Sequence, residues 1–295
     1  MNIIETRNLT KYYGRSRGII DVDLDILGGE IFGFVGPNGA GKSTTIRTLL
    51  AFLRPTKGSA KIFGMDCILE APKIKSAVGY IPAEVNYYED MKVKDLLNYS
   101  AKFYQKDCRK RMKQLSKILK LDLGKKINSL SSGNKKKVSI VQALLHEPRL
   151  LILDEPTNGL DPLIQNRFFE ILKEESEKGV TIFFSSHILS EVQRICDRVA
   201  IIKEGKIIKI EQIDELRKTR YKKIKIAFAD GVRVNSLTTA GIKDSQVKDN
   251  ILEFIYSGKI NNIIQELSSK DIDNIWIEEP ALEEIFMHYY EGGNN

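Results

Sequence analysis

Cysteine is scarce in this chain: 295 residues contain three, Cys67, Cys108 and Cys196, far apart in sequence. That is too few for a disulfide framework and too scattered for a thiolate metal site, so the three read as reduced bystanders. Long apolar runs are also missing. No stretch approaches the roughly 20 apolar residues that cross a bilayer, and the first residues lack the basic region and apolar stretch of a secretory signal. The expectation is a protein that begins and stays in the cytosol. With 42% hydrophobic and 29% charged residues, the composition excludes a disordered chain. The length predicts one large domain followed by a small one. A formal charge of +7 suits a nucleotide, a nucleic acid or an anionic membrane surface without choosing among them.

What is present is concentrated in a few segments. Gly36-Pro37-Asn38-Gly39-Ala40-Gly41-Lys42-Ser43-Thr44 meets the full phosphate-loop pattern of Gly, four residues, Gly, Lys and Ser/Thr. Its glycines let backbone N–H groups turn toward phosphate oxygens, Lys42 adds a point charge at the outer phosphates, and the Ser43 hydroxyl can ligate Mg²⁺. Ile31 to Val35 reads as a buried strand before the loop. Thr44 to Leu53 reads as a helix stopped by Pro55, which puts the phosphates at a helix N-terminus. The chain is therefore expected to bind a nucleoside triphosphate.

A second apolar run, Leu150 to Leu153, ends in adjacent carboxylates, Asp154 and Glu155. As a strand of the same parallel sheet it would deliver Asp154 beside the phosphate loop as a Mg²⁺ ligand. Glu155, on the other side of the backbone, could accept a proton from a water aimed at the γ-phosphate. Between the two segments, Ser131 is a candidate helix N-cap. Lys135, Lys136 and Lys137 follow it, where cations oppose the helix dipole. An incoming polyanion would relieve that violation.

In order and spacing, over roughly residues 3 to 210, these motifs resemble the nucleotide-binding subunit of an ATP-binding cassette (ABC) transporter. The resemblance rests on the phosphate loop, the signature-like Ser131-Ser132-Gly133-Asn134, the Asp154-Glu155 strand, the D-loop Gly159-Leu160-Asp161-Pro162, and His187 after the apolar strand Val180 to Phe184. It implies an α/β P-loop NTPase cassette with a parallel-sheet core, an antiparallel β subdomain and a helical subdomain at about residues 85–145. It also implies ATP and Mg²⁺ as cofactors, a second cassette closing head to tail, and an integral membrane permease that holds the subunit at the cytoplasmic face of the membrane. Carried over position by position, Ser131 and Gly133 donate to the γ-phosphate of the opposite site, within a signature that includes Ser132 and Asn134. Asp161 couples the two sites, Glu155 is the general base, and His187 contacts the γ-phosphate and steadies the attacking water. Tyr13 resembles the aromatic residue that stacks on adenine, although the adjacent Tyr12 and Tyr13 could each simply pack.

Two positions depart from the family pattern. Ser132 and Asn134 stand where the signature usually has Gly and Gln; both keep polarity. Ala83 stands where Gln is common, and a methyl group can neither ligate Mg²⁺ nor hold a water. Either Glu84, the next residue, takes over part of that role, or Asp154 and Ser43 suffice.

Elsewhere the reading is structural. Ile20 to Ile26 alternates apolar and acidic residues, as in a half-buried strand of an antiparallel sheet, with three aspartates on a solvated face. Lys106 to Lys120 reads as an amphipathic helix with a basic solvated face. Tyr87, Tyr88 and Met91 either form a contact surface for the permease or seal the helical subdomain. The cassette is expected over residues 1–212 and a small α+β domain over 213–295, with strands at 223–228, 251–256 and 272–277 and helices at 260–267 and 282–290. The final segment, Leu282 to Tyr290, is similar to the tail of cassettes serving antibiotic and peptide exporters of the ABC-2, bacitracin/daunorubicin-like group, which favours export. The short interval from Ser43 to Leu130 has no room for the coiled coil of the chromosome and DNA-repair cassettes, so no nucleic-acid partner is expected. A single phosphate loop argues against the two-cassette ribosomal proteins. A peptide-sensing or immunity complex remains an alternative that the cassette cannot separate from export.

Overall fold

A computed structural model describes residues 1–104, 106–218, 221–229, 237, 239–248, 250–268 and 270–278. The chain divides into two units, Met1–Ile213 and Asp214–Asn295.

The first unit begins with β1 (Asn2–Tyr13), β2 (Ser16–Leu27), β3 (Ile31–Val35), α1 (Lys42–Leu49), β4 (Lys57–Ile62), β5 (Met65–Asp66), α2 (Ala71–Ser76) and β6 (Val78–Ile81). Three helices follow, α3 (Val93–Ala101), α4 (Arg109–Ile118) and α5 (Ser132–Leu144). Then come β7 (Leu150–Asp154), α6 (Pro162–Glu177), β8 (Thr181–Ser186), α7 (Leu189–Ile195), β9 (Arg198–Lys203) and β10 (Lys206–Gln212). Six strands form one sheet in the order β10-β9-β3-β8-β7-β6, parallel from β9 to β6, with β10 antiparallel at the edge. β3, β7 and β8 are buried at every position, as continuous apolar runs must be when both faces of a parallel sheet are covered. Phe34 and Phe183 pack at 5.3 Å between ring centroids in the middle of this sheet.

The alternating segment is β2, in an antiparallel sheet of order β2-β1-β4-β5. Its aspartates are not merely solvated. Asp23 accepts from the Asn8 backbone N–H at 2.6 Å, Asp21 from the Thr10 hydroxyl at 3.2 Å, and Asp25 from Arg7 at 2.8 Å. Each therefore ties β2 laterally to β1.

The helix after the phosphate loop is shorter than expected, ending at Leu49 instead of Leu53. Ala51 turns left-handed (φ 55°), its N–H bonds to the Thr48 carbonyl, and the Phe52 N–H bonds to the Arg47 carbonyl at 2.8 Å. This is a Schellman ending with alanine in the place glycine usually takes, which is why the sequence did not announce it. The basic helix is α4, with Met112 and Leu115 buried. Among the described residues no helix is long and apolar enough to cross a membrane.

A short helix, α8 (Ile213–Lys218), follows β10. The second unit holds β11 (Tyr221–Phe228), β12 (Ile242–Lys248), β13 (Ile251–Ser257), α9 (Ile260–Leu267) and β14 (Ile272–Glu278), with the antiparallel order β12-β13-β11-β14. Ile224, Ile226, Phe254 and Tyr256 of the sheet pack with Ile263 and Leu267 of α9. The edge strand β12 went unread because its mostly polar residues have no apolar period. The expected helix at 282–290 lies outside the described residues.

Candidate functional site

Four parallel strands, β3, β8, β7 and β6, end on the same side of the sheet, where ligands of such sheets bind. β3 delivers the glycine-rich loop, β7 delivers Asp154 and Glu155, β8 delivers Ser186 and His187, and β6 delivers Pro82 to Glu84. A cleft of ≈ 370 Å³ opens there, lined by Tyr13, Asn38, Lys42, Ser43, Ala83, Glu84, Glu155, Asn158 and His187 among others.

The loop's shape depends on its glycines. A Cβ on Gly36 would lie 2.2 Å from the Ile202 carbonyl oxygen, and Gly41 holds a φ of 114°, where side chains are strained. Gly41 leads into α1, whose first turn has no side-chain cap and no acidic residue, so its N–H groups are left for an anion. Lys42 is 6% exposed; its Nζ donates to the Gly36 carbonyl at 2.6 Å and lies 3.2 Å from Glu155 Oε1. A single ammonium thus bridges the loop and the carboxylate strand.

The two carboxylates differ in their surroundings. Asp154 is 1% exposed, and its Oδ1 accepts from the Ser185 hydroxyl at 2.9 Å. Glu155 leaves the strand through a left-handed turn (φ 48°) that swings its side chain toward the cleft. Its Oε2 lies 2.7 Å from His187 Nδ1. An ionised carboxylate only accepts, so this contact takes the ring proton on Nδ1. Lys42, Glu155 and His187 therefore form a continuous polar chain across the cleft.

Other residues named from sequence are placed as follows. The Tyr13 hydroxyl sits 3.3 Å from the Thr44 hydroxyl at the cleft edge, whereas Tyr12 does not line the cleft. The Ser131 hydroxyl caps α5 by accepting from the Asn134 N–H at 3.3 Å. Ser132 and its neighbours do not line this cleft; Gly133 abuts the Gly159 carbonyl so closely that a Cβ would come within 2.4 Å of it. Asp161 caps α6, accepting from the Ile164 N–H at 3.0 Å. Tyr87 donates to Gln142 at 3.0 Å inside the helical region, while Tyr88 is 69% exposed.

Sequence reasoning missed several contributors. Asn158 and Arg17 line the cleft. Glu191 on α7 is buried and accepts from the Ser186 hydroxyl at 2.8 Å; that hydroxyl in turn accepts from the Ile188 N–H at 2.9 Å, which shapes the turn carrying His187. Burial pushes the Glu191 carboxyl above its usual range. The only sequence signal was its place one helical turn after His187. Lys136 is buried too, and its Nζ donates to the carbonyls of Pro82 at 2.9 Å and Ala83 at 3.0 Å. Lys135 reaches Glu89 at 3.7 Å, so two of the three clustered lysines already have partners.

Among the described residues no group of three or more His, Cys, Asp or Glu could hold a metal alone. The hard oxygen donors Ser43 and Asp154 instead suit a magnesium ion that keeps waters and takes its other ligands from phosphates.

The family and the fold are met again among known proteins. The ABC transporter family profile matches residues 19–158. The bacitracin transport ATP-binding protein BcrA of Bacillus licheniformis is 34% identical over 99% of this chain and 98% of its own length. A solved ATP-binding subunit of an ABC transporter superposes with a TM-score of 0.69 and 32% identity, covering 73% of this chain and 92% of that one. The dimeric structure of a bacterial ABC transporter cassette gives 0.66 and 26%, covering 71% and 98%.

Proposed function

The chain belongs to the ABC transporter family as an ATP-binding subunit, and from that premise we propose that it hydrolyses ATP with Mg²⁺ in a closed pair of cassettes, driving a permease that exports an antibiotic or peptide. The observation that carries the hydrolytic reading is the chain of contacts from Lys42 through Glu155 to His187. Similarity to a bacitracin transport protein over nearly the whole chain, second unit included, supports the export reading.

In this mechanism the Lys42 ammonium exchanges the Gly36 carbonyl and Glu155 for phosphate oxygens, while the N–H groups of residues 39 to 44 cradle the rest of the polyphosphate. Tyr13 packs on the base. Released from Lys42, Glu155 keeps its bond to His187 and accepts the proton of a water aligned with the γ-phosphate. His187 fixes the carboxylate and faces the same phosphate. Ser43 and Asp154 would hold Mg²⁺, which neutralises charge building on the phosphate oxygens. Glu84 closes the γ-phosphate end on which Ala83 has no polar group. Ser131, Ser132, Gly133 and Asn134 of one cassette cover the nucleotide held by the other, with Asp161 joining the two sites. Rate enhancement comes from positioning and electrostatics more than from covalent chemistry. A permease would hold the subunit at the cytoplasmic face of the membrane.

The test is Glu155→Gln. The variant is expected to bind ATP and accumulate as a dimer in size-exclusion chromatography with ATP and Mg²⁺, and to lose hydrolysis. Turnover at the wild-type rate would remove Glu155 from the base role. Isolation from gently solubilised membranes, with a polytopic membrane protein accompanying the chain, tests the transport half.

A further inference from the structure

A lysine ammonium is costly to bury, and proteins rarely do so without an ionic partner. Lys136 is 3% exposed, and among the described residues its polar partners are two consecutive backbone carbonyls, those of Pro82 and Ala83. An apolar side chain of similar length would fill the same space without the desolvation cost, so packing does not explain a lysine here. Burial pushes its pKa down to about 8, while the charges of Asp154 and Glu155 act in the opposite direction, which places the ammonium within their field.

The location is informative. Lys136 belongs to α5, the helix capped by Ser131 and opened by the signature-like residues. The carbonyls it holds are the last before Glu84, which lines the cleft. Six residues further along α5, Gln142 accepts from the Tyr87 hydroxyl at 3.0 Å and donates to Ser100 at 2.8 Å. The segment from Pro82 to Tyr87 is therefore pinned to one helix at both ends, with Glu84 between the pins. With Ala83 offering only its backbone, Lys136 contacts the backbone on which the direction of Glu84 depends.

We infer that Lys136 is a positioning residue of the ATPase site: by bonding the Pro82 and Ala83 carbonyls it makes α5 and the Glu84 segment one mechanical unit, linking the signature used at the partner site to the chain's own cleft. The inference rests on the ATPase reading above. Movement of α5 when its signature engages a nucleotide shifts Glu84 with it, and the two sites of a cassette pair sense one another through this link.

The experiment compares the purified chain with Lys136→Met, Lys136→Gln and, as a control, Lys113→Met on the exposed face of α4. ATP turnover against ATP concentration, nucleotide binding and thermal melting are measured on each. Lys136→Met retains the length and loses both bonds; the expected result is a fall in kcat of roughly tenfold or more, since misplacement by about 1 Å can cost a hundredfold. The KM should change far less, and the Hill coefficient for ATP should fall below that of the wild type. Lys136→Gln, which keeps a donor, should recover much of the rate, and Lys113→Met, on the exposed face of α4, should match wild type. A folded Lys136→Met with wild-type kcat and Hill coefficient overturns the inference. So does a loss that Gln does not rescue and that follows the melting temperature, because that result is structural. A wild-type chain that binds no ATP or fails to hydrolyse it overturns the function reading instead, and Lys136 falls with it.

Discussion

His187 donates from Nδ1 to Glu155 Oε2 at 2.7 Å, and the other carboxylate oxygen of Glu155 faces Lys42 at 3.2 Å. In the proposed mechanism the lysine turns to phosphate, which leaves the imidazole, among the described residues, to fix the direction of this carboxylate. His187→Ala is expected to lower kcat by about a hundredfold, the scale on which a misplaced catalytic group costs rate, with little change in ATP affinity. Steady-state ATPase assays beside equilibrium nucleotide binding separate the two quantities.

Glu191 acts one step further out. Its bond to the Ser186 hydroxyl holds the turn that presents His187. Glu191→Leu strands that hydroxyl in a buried place and is expected to cost about 1–3 kcal/mol of stability together with a fall in kcat. Glu191→Gln keeps an acceptor and should retain most of both. Urea unfolding and turnover, measured on the two variants, check the difference.

The helical region contains a buried imidazole, His146, stacked on Tyr104 at 3.8 Å, with Lys106 and Glu147 nearby. Burial lowers its pKa from 6.5 to about 4. Its folded value is the depressed one, so between those values the unfolded chain binds more protons than the native chain, and falling pH favours unfolding. Relative to His146→Phe, the wild type should lose up to about 3 kcal/mol as pH drops through this window. Unfolding free energies of the two proteins at pH 7 and pH 4.5 test the sign and the size.

Arg111 of α4 meets Glu175 of α6 at 2.6 Å, their side chains 10% and 3% exposed, and Lys178 reaches the same Glu175 oxygen at 2.7 Å. Removing one partner of a buried pair costs about 3–5 kcal/mol in general. Lys178 remains to compensate the carboxylate, so Arg111→Met should fall at or below the low end of that range. Replacing both members by Met should restore part of the loss. A double-mutant cycle on unfolding free energy measures the coupling.

Much of the cleft could be read from the chain because its parts are contiguous: a glycine loop between a strand and a helix, and two carboxylates at the end of an apolar run. The buried strands β3, β7 and β8 were legible for the same reason, each being an uninterrupted run. What was not legible depends on contacts between distant segments. Nothing local marks Lys136 as a partner of Pro82 and Ala83, or Glu191 as the acceptor for Ser186. The early end of α1 escaped notice because Ala51, and not a glycine, takes the left-handed position. Strand β12 draws its order from a backbone ladder with β13, which leaves no apolar pattern to see.

The three cysteines have one practical consequence. Cys67, Cys108 and Cys196 are all buried, and burial raises every one of their pKa values, Cys67 to about 12. At neutral pH none offers a thiolate to an alkylating probe. The wild-type chain is thus a ready-made blank for spectroscopy: a single cysteine introduced at exposed Tyr88 would carry a fluorophore or spin label without competing background, and the opening and closing of paired cassettes could be followed as a distance between two dyes.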